Sequence, residues 1–111
     1  MEVIHNEIDS ARANKKLDKD QRVSLAIEVG SFIGQMFCQE MDWEWLQVLD
    51  PDGTEAIAVV SGNRALALDP IRWVHELISD KKRANNCLLL FNMIHAGRLP
   101  PSRPNSYVWI G

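Results

Sequence analysis

Between Asp20 and Met41 the chain carries a run that reads as a helix packed on two sides. At about 100° per residue, Val23, Ala26, Ile27, Gly30, Gly34, Phe37 and Met41 form one apolar stripe. Leu25, Val29, Phe32 and Met36 form a second, and Ile33 fills part of the gap between them. Polar residues (Gln21, Ser24, Glu28, Ser31, Gln35, Gln39) share one narrow sector. A surface helix needs an apolar stripe little more than ~100° wide, and this one is apolar around well over half its girth. Other elements must therefore wrap it, and Asp18 or Asp20 offers the N-cap that starts it.

After Met41 the pattern turns extended. Trp43 to Leu49 reads as a first strand, Asp50-Pro51-Asp52-Gly53 as a turn, and Glu55 to Val60 as a second strand. Gly62-Asn63 suits a two-residue hairpin loop leading into a third strand, Arg64 to Leu68. That register sets Val60 opposite Ala65 and Val59 opposite Leu66. One face then shows Ala56, Ala58, Val60, Ala65 and Ala67, and the other Ile57, Val59, Leu66 and Leu68. Both are apolar, so both are expected to be covered. The alanines would admit a close neighbour, and Gly30 and Gly34 would do the same from the central helix, so the helix is expected to cross the alanine face. A four-residue loop at 50–53 turns Trp43 and Trp45 to that face; a one-residue bulge at Gly53 reverses them.

Asp69-Pro70 opens the next helix with an N-cap and a first-position proline. Ile71, Trp73, Val74, Leu77 and Ile78 give it an apolar face, and Ser79-Asp80-Lys81-Lys82 interrupts it. A further helix is expected over Arg83 to Ala96, stopped by Gly97. Leu99-Pro100-Pro101-Ser102-Arg103-Pro104 cannot be helical, and Tyr107-Val108-Trp109-Ile110 reads as a last strand or an arm lying on the body. At the other end, Ile4, Ile8 and Ala11 have the spacing of a short helix within a loosely packed segment, 1–19. The expected fold is one α+β domain over residues 1–111. It has a long central helix, a three-stranded antiparallel meander, two C-terminal helices and an extended tail from 98 to 111.

The net charge of −3 gives no global attraction to nucleic acid or an anionic membrane. With no run of eighteen apolar residues and no apolar signal core, a soluble cytoplasmic protein is expected. Cys38 and Cys87 sit in apolar helical runs and read as buried free thiols.

Candidate chemistry is sparse. His75-Glu76 lacks the second histidine of a zinc-protease helix, because position 79 is serine. His75 and His95 lie on different helices with no further ligands to complete a site. Cys87 has apolar surroundings that quiet a thiol, so pairing with His75 or His95 does not read as a nucleophile and base. Lys81-Lys82-Arg83 reads as a solvated turn, and Gly30-Phe32-Gly34 lacks the strand and glycine of a nucleotide loop. No catalytic, cofactor or metal residues are nominated, and no cofactor is expected. Asp42-Trp43-Glu44-Trp45 alternates acid and indole; an ordinary strand explains it, and so would an edge for a protein partner, since Trp is enriched at binding hot spots.

The order of these features resembles a bacterial family catalogued as domain of unknown function 3806. The resemblance rests on Leu25-Ala26 with Gly30-Ser31-Phe32-Ile33-Gly34, then Asp42-Trp43-Glu44-Trp45, then a three-stranded stretch closing on Asp69-Pro70-Ile71, and covers residues 20 to 78. It implies an α+β fold and brings no catalytic residues. The expected function is a non-enzymatic protein-binding module, immunity or regulatory in kind, acting as a homodimer. Leu25, Val29, Phe32 and Met36 are the candidate interface, since few elements remain to cover that stripe; the tail would reach a neighbour or fold back over it. The alternative is a small-molecule binder or minor enzyme with a pocket between the Trp-bearing strand and the helices.

Overall fold

The computed structural model describes residues 1–49, 52–98 and 102–111; Asp50 and Pro51 of the expected turn, and Leu99-Pro100-Pro101 of the tail, lie outside them. The fold is α+β, with four helices and a four-stranded sheet among the described residues. In chain order the elements are α1 (Glu2–Ala13), α2 (Lys19–Met41), β1 (Glu44–Leu49), β2 (Glu55–Val60), β3 (Leu66–Leu68), α3 (Pro70–Ser79), α4 (Cys87–His95) and β4 (Val108–Trp109). Among the described residues no helix is long and apolar enough to cross a membrane.

α2 is the axis of the molecule. Asp18, not Asp20, caps it: its carboxylate accepts the Gln21 N–H, while the Gln21 side chain accepts the Asp18 N–H, satisfying two otherwise orphaned donors. Asp42 ends it in the left-handed region. Ala26, Val29, Gly30, Ile33, Gly34 and Phe37 are buried along it. The two glycines serve different neighbours. A Cβ on Gly30 would lie 2.6 Å from the Cα of Ile71 and 2.9 Å from the carbonyl oxygen of Pro70, so α3 crosses backbone to backbone here. A Cβ on Gly34 would overlap the six-membered ring of Trp45.

These contacts correct the expected crossing of the alanine face. β1 pairs with β2 so that Leu49 meets Glu55 and Trp45 meets Val59. Residues 50–54 therefore connect them, one more than the expected loop, and the odd residue turns Trp43 and Trp45 to the face of Ile57, Val59 and Leu68. Gly53 at φ 84° and the Thr54 N–H on the Asp52 carboxylate occupy the extra position. α2 packs on this bulkier face, with the Phe37 ring 4.9 Å from that of Trp43.

The second hairpin is also longer than expected: Val59 meets Leu68 and Val60 meets Ala67. Four residues, not Gly62-Asn63 alone, make the turn. Ser61 bonds Leu66 through its N–H and its hydroxyl, Asn63 accepts the Ala65 N–H, and Arg64 takes φ 60°. A shift of two residues preserves the faces, so Ala58, Val60 and Ala67 still share one side, all three fully buried. What joins them is the tail. β4 runs parallel to β3 with Trp109 beside Ala67, so the sheet has four strands in sequence order and the indole lies on the alanine face.

The remaining helices close the core. α3 begins as expected, with Asp69 accepting the Arg72 N–H and Pro70 in the first turn. α4 starts at Cys87 rather than Arg83, because Asn85 takes the Cys87 N–H on its side chain and gives its amide to His5 and Asp9. Gly97 stops α4 at φ 68°, with the Arg98 N–H on the Met93 carbonyl. The expected loose N-terminal segment is instead packed: Ile8 and Ala11 of α1 join Trp73, Val74, Leu77 and Phe91 in the core.

Candidate functional site

The residues expected to meet partners are distributed unevenly. Trp43 is buried against Phe37, and Trp45 is half-buried under Gly34, so neither indole is presented as an anchor. Glu44 pairs with Arg64 across the sheet end, and Asp42 is the exposed cap of α2. On the second stripe Val29 is buried, Leu25 and Met36 pack partly against the core, and Phe32 alone stands out, 64 % exposed. The stripe is thus covered largely within the chain. Leu25 shares a shallow hollow with Glu7, Ala11 and Leu17 from α1 and the following turn, while on the other stripe Phe37 meets Phe91 of α4 edge-on at 5.7 Å. The tail folds back, but onto β3 rather than onto this stripe.

Apolar exposure gathers elsewhere. A groove of about 450 Å³ runs between the first half of α2, the start of α3 and the first half of β2, lined by Val23, Ala26, Ile57 and Ile71 together with Asp69, Arg72 and His75. Ile27 on α2 and Ile57 on β2 are half exposed or more. Because Gly30 draws the α3 backbone onto α2, the helices meet closely at one point, and the groove lies beside it. No periodicity argument could find this surface: Val23, Ile27 and Ile57 belong to apolar stripes that the sequence marks as core.

Two further hollows flank the sheet. One, about 230 Å³, is lined by Asp52, Asp69, Arg72, Trp73, Glu76 and Trp109. Its carboxylates are engaged: Asp69 caps α3, Glu76 lies between Arg72 and Arg83, and the Thr54 N–H draws the Asp52 carboxyl below its usual range. The fully buried Trp73 indole N–H, by contrast, has no acceptor among the described residues. The other, about 250 Å³, lies between Trp43, the β2–β3 turn and Ile94 of α4, where a pocket beside the Trp-bearing strand was expected. Its Ser61 and Asn63 side chains are spent on the turn itself.

The titratable groups of the described residues are spread over the fold. Burial pushes the Cys87 thiol up to about 12, and its sulfur lies 3.2 Å from that of Met1. Desolvation also raises Cys38, with the nearby Glu44 adding to it. His75 lies at the groove, His95 stacks on Phe91, and His5 pairs with Asp9. Among the described residues no three His, Cys, Asp or Glu side chains gather as metal ligands. Comparison with protein-family models, with curated proteins and with solved structures finds no match.

Proposed function

We propose that the chain is a non-catalytic protein-binding module of the immunity or regulatory kind, working in the cytoplasm as a homodimer. The resemblance to the domain of unknown function 3806 family belongs to the same proposal and adds no residue roles. The observation that carries the reading is the apolar groove between α2, α3 and β2. Contiguous exposed apolar surface rimmed by polar groups marks an interaction site on a soluble chain. Its open, largely apolar lining suits apolar side chains from a partner segment, and His75, Asp69 and Arg72 add polar groups to it.

Ile57→Asp is the test, because Ile57 is 62 % exposed and its replacement should leave the fold intact. Proteins retained from source cells by the wild type and lost by Ile57→Asp would support the groove. Identical retention by both would overturn it. A second reading, small-molecule binding, is favoured by one observation: the unpartnered Trp73 N–H at the polar hollow. Saturable binding of a carbonyl- or carboxylate-bearing compound measured by calorimetry, lost in Trp73→Phe while the melting temperature is kept, would select it.

A further inference from the structure

The two edges of the sheet are treated differently. β4 is two residues long, the kind of short edge that resists pairing with other chains. β1, at the opposite edge, is six residues paired without interruption to β2. Beyond Glu44 and the Cys38 contact at its first residues, it contains no lysine, no proline and no bulge of the kinds that blunt an open edge.

The backbone of that edge can be oriented residue by residue. The Ser61 N–H donates to Leu66, toward β3. Antiparallel ladders alternate, so residues 60, 58 and 56 turn their N–H and carbonyl groups toward β1, onto residues 44, 46 and 48. Trp45, Gln47 and Leu49 then direct theirs outward. The Trp45 N–H is turned to the Cys38 sulfur of α2; Gln47 and Leu49 lie beyond it on the open edge.

Outward from Gln47 the segment Trp45-Leu46-Gln47-Val48-Leu49 is apolar on both sides, two residues each way. A strand that pairs antiparallel with its own copy about a two-fold axis at Gln47 sets Gln47 on Gln47, Leu46 on Val48 and Trp45 on Leu49. Apolar residues meet apolar, and Gln47, whose side-chain amide donates to the Glu55 carboxylate of β2, meets its own copy, with no like charges opposed within these pairs. Glu44 falls outside them, and Arg64 already meets its charge. Leu49, now 64 % exposed, would lie against a half-buried indole.

We infer that the open edge of β1 docks a second copy of this chain, antiparallel about Gln47, joining two four-stranded sheets into one. This rests on the homodimer part of the reading above and names its interface. Each Gln47 N–H gains the opposing Gln47 carbonyl and each Leu49 N–H a Trp45 carbonyl, while the Cys38 sulfur turns aside from the Trp45 N–H to admit the Leu49 carbonyl. The two-fold axis stands perpendicular to the sheet, so both α2 helices stay on one side. A second copy is preferred to an unrelated strand because only self-pairing uses the symmetry of residues 45–49.

The test combines mass with position. Light scattering over a wide concentration range should give twice the chain mass at the upper end for wild type and the monomer mass throughout for Gln47→Pro. That proline removes an outward N–H and leaves the β2 ladder untouched, and an unchanged circular dichroism spectrum shows that it folds. In a Cys38→Ser background, a nitroxide on Gln47→Cys should show spin–spin broadening that dilution with unlabelled protein removes. A nitroxide on Phe32→Cys should show none. Broadening at 32 instead of 47, with the dimer mass kept by Gln47→Pro, would overturn the β1 interface while leaving a dimer. A monomer mass for wild type throughout would overturn the dimer itself, whereas failure of the Ile57→Asp comparison would bear on the groove alone.

Discussion

Replacing Gly30 by alanine sets two effects of known sign against each other. In an exposed helix the change stabilises by about 1 kcal/mol, because glycine is the poorer helix former. Here the new methyl group would arrive 2.6 Å from the Cα of Ile71, 2.8 Å from its nitrogen and 2.9 Å from the Pro70 oxygen. All three obstacles are backbone atoms at the start of α3, so no rotamer change relieves them. α3 must move away from α2, and it is itself held by Trp73, Val74 and Leu77 in the core. Overpacking of this kind costs roughly 1–3 kcal/mol, and with nothing free to rotate the upper half of that range applies. The net expectation is a loss of about 1–2 kcal/mol. Urea unfolding should show it as a lower midpoint at unchanged slope, and thermal melting as a fall of about 4–8 °C for each kcal/mol. Gly34→Ala overlaps its neighbour more deeply but meets only the outer ring of half-buried Trp45, which can turn toward solvent, so its loss should be the smaller. A Gly30→Ala protein as stable as wild type, or less damaged than Gly34→Ala, would refute the backbone-to-backbone crossing.

Asn85→Ala removes bonds to the His5 carbonyl, the Asp9 carboxylate and the Cys87 N–H, and should cost about 1–3 kcal/mol by chemical unfolding. Asp18→Ala breaks the capping box of α2 and should cost about 1 kcal/mol, read the same way. Cys87, its thiol pushed up to about 12 by burial, should resist iodoacetamide in the folded protein while half-buried Cys38 reacts. The folded chain holds the Cys87 proton where the unfolded chain releases it, above about pH 8.5. Stability should therefore fall as pH rises from there toward 12, and less steeply in Cys87→Ala. Incubation with a chelator should leave the melting temperature unchanged, since no ligand cluster is present among the described residues.

Features announced by local chemistry were legible in the sequence: the Asp-Pro start of α3, the Gly97 stop of α4, the long apolar helix and the two-faced hairpin. What escaped depends on counting residues through turns. One extra residue between β1 and β2 reverses both indoles, and with them the face that α2 covers. Asn85-Asn86 was a visible signal against a helix start at Arg83, since asparagine side chains compete for backbone donors. The groove was not legible, because Val23, Ile27 and Ile57 look like core until the crossing point at Gly30 fixes how far the helices diverge. The open edge was equally hidden, because strand order and the length of β4 are set by where the tail returns.

The attachment of α1 bears on the order in which the chain can fold. Arg12 donates to the carbonyls of Leu77 and Lys81, and Asn85 donates to that of His5. These bonds join segments 65 to 80 residues apart, so α1 gains them only after α3 and the turn beyond it exist. Closing so long a loop is entropically costly before such contacts repay it. α1 should thus dock late and release first, as a separately opening unit of the native state. Amide exchange would show its protons leaving together, at a lower free energy than those of α2 and β2. A protease acting on native protein would then cut first at 14–17, ahead of the capping box, where the backbone is exposed around Asn14, Lys15 and Lys16.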